Sequence, residues 1–156
     1  MENFLQDIIL YINELDTVLQ YIGIFVISMV PFLESYVAIP VGIALDFPPV
    51  PIILIGIIGN VLSVIILIWI IDKFRKPNKE KKESNRWRRA QSFFQKYGVP
   101  GVSLAGPLIG YHIAALIALG AGTSKQYITL WQIIAISVWS IIFGVAFIFG
   151  IQLLIR

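Results

Sequence analysis

Glu34 is the residue in this chain most able to do chemistry. It is the single charge within residues 17–45, in the stretch Pro31-Phe32-Leu33-Glu34-Ser35-Tyr36-Val37-Ala38-Ile39-Pro40. An apolar medium penalises an ionised carboxylate and drives it to find a partner or take up a proton. A carboxyl group kept there suits proton exchange. The alternative is structural: the acid bonds backbone groups that Pro31 and Pro40 leave free. His112 is the second candidate, five residues after Pro107 in the uncharged run 97–124. A lone histidine in an apolar run is more often a packing residue than a relay. As a relay it would share a proton with Glu34, if their two stretches meet. Tyr36 stands close to Glu34, and Asn60 sits midway along a later apolar run, where an amide needs a partner. Glu34, His112, Tyr36 and Asn60 are the candidates for proton coupling or substrate contact.

Other chemistry has little to stand on. The sequence has no nucleophile–base arrangement, metal-ligand cluster or phosphate-loop spacing, and no cysteine. No enzyme activity, catalytic residue, metal or cofactor is expected. Gly98, Gly101, Gly106 and Gly110 with Pro107 permit tight turns that aim N–H groups into a cavity, and packing accounts for them equally well.

The elements that hold these residues are membrane segments. The 156 residues are 58% hydrophobic and 13% charged, which excludes disorder and is extreme for a soluble domain. Runs 47–71, 97–124 and 126–155 carry no charge. Each exceeds the ~20 helical residues that cross a hydrocarbon core of about 30 Å. The fold class read from this is an all-α integral membrane protein. The acidic N-terminus lacks the basic start of a signal peptide, so none is expected.

Residues 1–16 space apolar side chains as an amphipathic surface helix does, or as the first turns of the next helix. Residues 17–46 read as a helical hairpin broken at Pro31 and Pro40, in preference to one kinked span. Pro48, Pro49 and Pro51 start a transmembrane helix over 49–71, with Gly56, Gly59 and Ser63 as a packing face. Residues 72–96 hold ten of the twelve Lys and Arg residues, which makes this segment cytoplasmic. Its second part reads as a basic interfacial helix whose Arg86, Arg88 and Arg89 touch lipid headgroups. Nucleic acid is a poor alternative, because the adjoining membrane span already explains the charge. A second broken stretch, 97–122, has bends at Gly98, Gly101, Gly106, Pro107 and Gly110 and a small-residue face at Ala114, Ala118 and Gly122. Residues 126–155 form the last transmembrane helix.

The two halves share one order of elements. A shift of 76 residues pairs Tyr21 with Tyr97, Val26 with Val102, Pro31 with Pro107, Tyr36 with His112 and Ala38 with Ala114. The expected architecture is two inverted repeats, 1–71 and 97–156, each a re-entrant hairpin plus a transmembrane helix. Four simple crossings remain the alternative, since Lys125 and Arg156 exchange sides between the two and the charge count does not separate them.

Pro31-Phe32-x-Glu34, Ala38-Ile39-Pro40, Pro48-Pro49 and Gly59-Asn60, followed by Gly98, Pro107 and Gly110, resemble the small multi-drug export protein family over roughly residues 20–122. That family is similar to a compact form of the DedA or VTT-domain membrane proteins. The resemblance implies opposed re-entrant hairpins and a transporter of lipids or lipid carriers that depends on the proton gradient, with Glu34 as the acid of the first hairpin. One departure matters. DedA proteins carry arginines in the second hairpin, whereas Val99 to His112 has no Arg or Lys, which argues against a phosphate headgroup held there.

Three functions follow as expectations. The first is a proton-coupled transporter of an amphipathic or lipid-linked substrate in the cell membrane. The second is a proton-coupled exporter of hydrophobic cations, and the third a membrane-organising protein that transports nothing. The lipid bilayer is the expected partner. So few crossings hardly enclose a pathway, so a homodimer is expected too.

Overall fold

The computed structural model describes Asp7, Leu10 and residues 16–74 and 85–154, with side chains for all of these but 85–93 and 151–154. The surface helix expected over 1–16 and the loop expected over 77–85 lie almost wholly outside the described residues. What is described is helical, with no strand: α1 (Thr17–Met29), α2 (Glu34–Ala44), α3 (Pro49–Phe74), α4 (Asn85–Leu104), α5 (Gly106–Ile109), α6 (Tyr111–Gly120) and α7 (Lys125–Leu154).

Residues 17–46 are two short helices rather than one kinked span. α1 and α2 pack on each other across the turn Val30–Leu33. At 1.5 Å per residue their 13 and 11 residues reach only about 20 and 17 Å, well short of a ~30 Å hydrocarbon core. The turn carries left-handed backbone at Phe32 (φ 70) and Glu34 (φ 50). Pro40 does not mark the turn: it lies inside α2. The second broken stretch is more fragmented. α4 is kinked at Gly98 (φ 64), with Pro100 in its last segment, and α5 and α6 meet at Gly110 (φ 86). α6 packs on α4 and α5.

The two stretches keep the 76-residue register to the level of single hydrogen bonds. α2 ends with Asp46 N–H donating to the Ile43 carbonyl and Phe47 N–H to that of Gly42. α6 ends with Gly122 N–H donating to Leu119 and Thr123 N–H to Ala118, each residue 76 places on. Both are Schellman caps, with left-handed Asp46 (φ 59) and Gly122 (φ 91) in the same position. Entry to the helices matches too: Glu34 N–H donates to Val30, and Gly110 N–H to Gly106. The long helices that follow begin at Pro49 and Lys125, also 76 apart.

The chain divides into two compact units, Met1–Leu62 with Ser137–Arg156, and Ser63–Ile136. In the first, Ile24, Ala38, Ile39, Ile43 and Ile52 form the buried core, flanked by Tyr21 and Phe47, whose rings lie 4.5 Å apart. Gly59 lets α3 approach α1. A Cβ there would collide with Ser28 Oγ and sit 2.9 Å from the Phe25 carbonyl oxygen. This is the close packing expected of the small-residue face. In the second unit, Ala114, Ala115 and Ala118 of α6 are fully buried.

α3 and α7 are the two helices long and apolar enough to cross a membrane, over Pro49–Phe74 and Lys125–Gly150. Their exposure separates them from soluble core helices: only 33% and 22% of their most apolar windows is buried. On α3, Leu54, Ile58, Leu62 and Ile66 keep one apolar side exposed at four-residue spacing, while Asn60 is fully buried. An apolar exterior with polar groups inside is the arrangement that lipid favours and water does not.

Candidate functional site

The first unit holds a buried polar cluster on α2, α3 and α7. Glu34 is 0% exposed, and Ser35, Asn60 and Ser140 are buried with it in the same unit. Ser35 Oγ is its centre: it accepts from Ser140 Oγ at 2.7 Å and from Asn60 Nδ2 at 3.3 Å. α2 supplies both Glu34 and Ser35 at its first turn. There the free backbone N–H groups and the helix dipole favour negative charge. Asn60 arrives because Gly56 and Gly59 bring α3 close; a Cβ at Gly56 would sit 2.7 Å from Ile39 Cγ1. Ser28 stays local, donating to the Phe25 carbonyl at 2.6 Å.

The backbone at Glu34 makes the position informative. A left-handed conformation costs a residue with a side chain on the order of 1–3 kcal/mol, and glycine almost nothing. The equivalent position in the second stretch is Gly110. Glu34 thus combines an unfavourable backbone with a fully buried acid.

Of the other predicted residues, Tyr36 is turned to its own bend, donating from its hydroxyl to the Phe32 carbonyl at 2.6 Å. His112, 7% exposed, belongs to the second unit, where its Nε2 lies 3.1 Å from Ser63 Oγ. Pro31 is at the first turn and Pro107 in the first turn of α5, with Gly106 buried beside it. Gly98 and Gly110 carry positive φ at breaks between helical segments, while Gly101 lies within a helical segment against Tyr97. Arg86, Arg88 and Arg89 fall on α4, and their side chains are outside the described residues.

Sequence reasoning missed Ser35 and Ser140 in the first unit. Ser35 was adjacent to the acid and Ser140 was one of few small hydroxyls in the last apolar run. No spacing ties a residue on α2 to one 105 places later, so only the fold joins them. It also missed an ion pair in the second unit. Lys125 Nζ lies 3.1 Å from Asp72 Oδ2 and 4.5 Å from the centre of the Trp69 ring. The pair ties the end of α3 to the start of α7. Each charge opposes the dipole of its own helix end, so the pairing offsets what the helices disfavour. Among the described residues no group of His, Cys, Asp and Glu could hold a metal ion.

No curated protein and no solved structure matches the chain. The family and the two long apolar helices point to a membrane protein. Residues 34–142 match the model of the family described as "Putative small multi-drug export protein", more than half of the chain and every helix from α2 to α6 with much of α7, so the chain belongs to that family of transporter proteins.

Proposed function

We propose that the protein is a proton-coupled transporter of the cell membrane that moves an amphipathic or lipid-linked molecule, with Glu34 as the coupling acid. The observation that carries this is a fully buried carboxyl group on left-handed backbone, with hydroxyl and amide groups from three helices in the same unit. In apolar surroundings the acid alternates between a protonated form and an ionised form that needs an opposite charge or a polar ligand. A substrate that binds only one of these two forms is thereby linked to the proton, which couples the two flows. Ser35, Asn60 and Ser140, bonded to one another in the same unit, supply neutral polar contacts.

The fold class completes the reading. Tyr21 at the start of α1 and Phe47 after α2 are in contact, so the first hairpin begins and ends together. Asp72 before the second stretch and Lys125 after it are paired, so that stretch also returns to where it began. Helices too short to cross, with both ends of the segment together, are the features of re-entrant hairpins. With α3 crossing between them, the hairpins would enter from opposite faces as inverted repeats, the arrangement of DedA-like proteins. The basic segment 72–96, and with it Lys125, would then face the cytoplasm. A homodimer would enclose the pathway.

The family description favours a second reading, export of hydrophobic cations, in which Glu34 neutralises the cation directly. Transport driven by a pH gradient in proteoliposomes tests both, with tetraphenylphosphonium and a fluorescent polyprenyl phosphate as substrates. The expected result is that Glu34→Gln reduces transport to background while the protein stays helical and elutes unchanged. Full transport by the variant would remove the proposal. Competition between protons and tetraphenylphosphonium for wild-type protein would select the cation reading.

A further inference from the structure

The second unit contains buried polar groups for which the coupling acid has no use. Gln132 on α7 is 1% exposed, and neither its Nε2 nor its Oε1 makes a hydrogen bond to a described residue. The same holds for the hydroxyl of Thr129, one turn earlier on the same face of α7, and for Ser103 Oγ on α4, which is 0% exposed. A primary amide presents two donors and an acceptor with two lone pairs. Left without partners it strongly disfavours burial, and leucine would fill such a place better.

These groups lie about one side chain. A Cβ on Gly106 would collide with the Tyr111 ring, and Gly106 lies three residues after Ser103, across the break between α4 and α5. At the other end, Tyr111 donates from its hydroxyl to the Ala135 carbonyl at 3.5 Å, and Ala135 is one turn beyond Gln132. Ser103 and Gln132 therefore each lie three residues from a contact of Tyr111, and Thr129 lies one turn further back on α7. Val102, Ile128 and Ile136 on the same helices are buried as well. Charge is displaced from this place. Of the described charged side chains of the unit, Asp72 and Lys125 pair with each other, and Lys73 and Lys96 are exposed. His112 is engaged with Ser63.

We propose that the second unit binds the uncharged, hydrogen-bonding end of an amphipathic molecule, with Gln132, Thr129 and Ser103 as its polar contacts. Hydroxyl, amide or ester groups complement an amide and two hydroxyls, which offer both donors and acceptors. Among the described side chains a phosphate finds no free cation there and an ammonium group no free anion. This rests on the transporter reading only for where the molecule comes from. Binding itself needs neither a gradient nor Glu34.

Photo-crosslinking in phosphatidylcholine nanodiscs tests it. The probes are a monoacylglycerol with a diazirine in its chain, and the same chain carrying a phosphate or a trimethylammonium headgroup. The expected result is preferential labelling by the monoacylglycerol of peptides containing Ser103 to Tyr111 and Thr129 to Ala135. In Gln132→Leu that labelling should fall about tenfold, as loss of a ~1.4 kcal/mol interaction requires, with thermal stability kept or raised. Glu34→Gln should label as wild type does, even if it transports nothing. Equal labelling by the three headgroups, no enrichment at these peptides, or undiminished labelling of Gln132→Leu would overturn the proposal. Ser103→Ala is the second variant, expected to weaken labelling in the same direction; no change there as well as in Gln132→Leu would be equally decisive.

Discussion

The turn into α2 and the turn into α6 are built alike and filled differently. In both, an N–H donates to the carbonyl four residues back, and both helices end in the same cap 76 residues apart. The first turn places Glu34 on left-handed backbone, and the second places Gly110 there. The scaffold asks for glycine in both places. What departs from it in the first unit is a carboxyl group with buried hydroxyl and amide groups around its helix start. What the second unit holds instead is His112 on Ser63, and Gln132 without a described partner. The first unit thus buries an ionisable group where the second has glycine, and the second buries neutral polar groups on other elements.

That comparison is broken most severely at Gly110. With φ 86 and ψ 134 its backbone is nearly closed to residues with a side chain. Gly110→Val is expected to lower stability by about 1–3 kcal/mol, measured as the unfolding midpoint in detergent. The opposite exchange in the first turn is milder. Phe32 is left-handed yet 66% exposed, so Phe32→Gly relieves its backbone without opening the core. Stability should hold or rise by up to about 1 kcal/mol. If both variants lose stability equally, the two turns do not share a backbone requirement.

The smallest expected effect is at Lys125. Its ion pair with Asp72 is about 30% exposed at both side chains, so Lys125→Ala should cost about 1 kcal/mol or less. The position matters more for topology than for stability. A cysteine at the exposed Ser124 should react with an impermeant maleimide from the same side as a cysteine in segment 72–96. Reaction from the opposite side would replace the hairpins with simple crossings.

Much of this was legible in the residues. Proline and glycine punctuation located the breaks near 31 and 98–110, because those residues act on their own backbone. Charge-free length located α3 and α7. Pro40 misled because a proline can sit within a helix that tertiary packing supports, and the turn was made instead by left-handed Phe32 and Glu34, which no sequence rule favours. Glu34 was visible as an anomaly of charge. Ser35, Ser140 and Gln132 were not, since small hydroxyls and a lone amide in an apolar run mean something only once helices far apart in sequence bring them together. The 76-residue correspondence was faint in identities and is seen in the backbone bonds that enter and cap the two helices, because capping geometry tolerates Asp46 for Gly122 where a residue count does not.

The central claim is that Glu34 carries the proton that accompanies the substrate. Proteoliposomes loaded with a pH-sensitive dye and given a tetraphenylphosphonium or polyprenyl-phosphate gradient, with no pH gradient imposed, measure that coupling in reverse. Wild-type protein should drive a proton flux with at least one of the two substrates, and Glu34→Gln should drive none with either. A proton flux of wild-type size in Glu34→Gln would contradict the account.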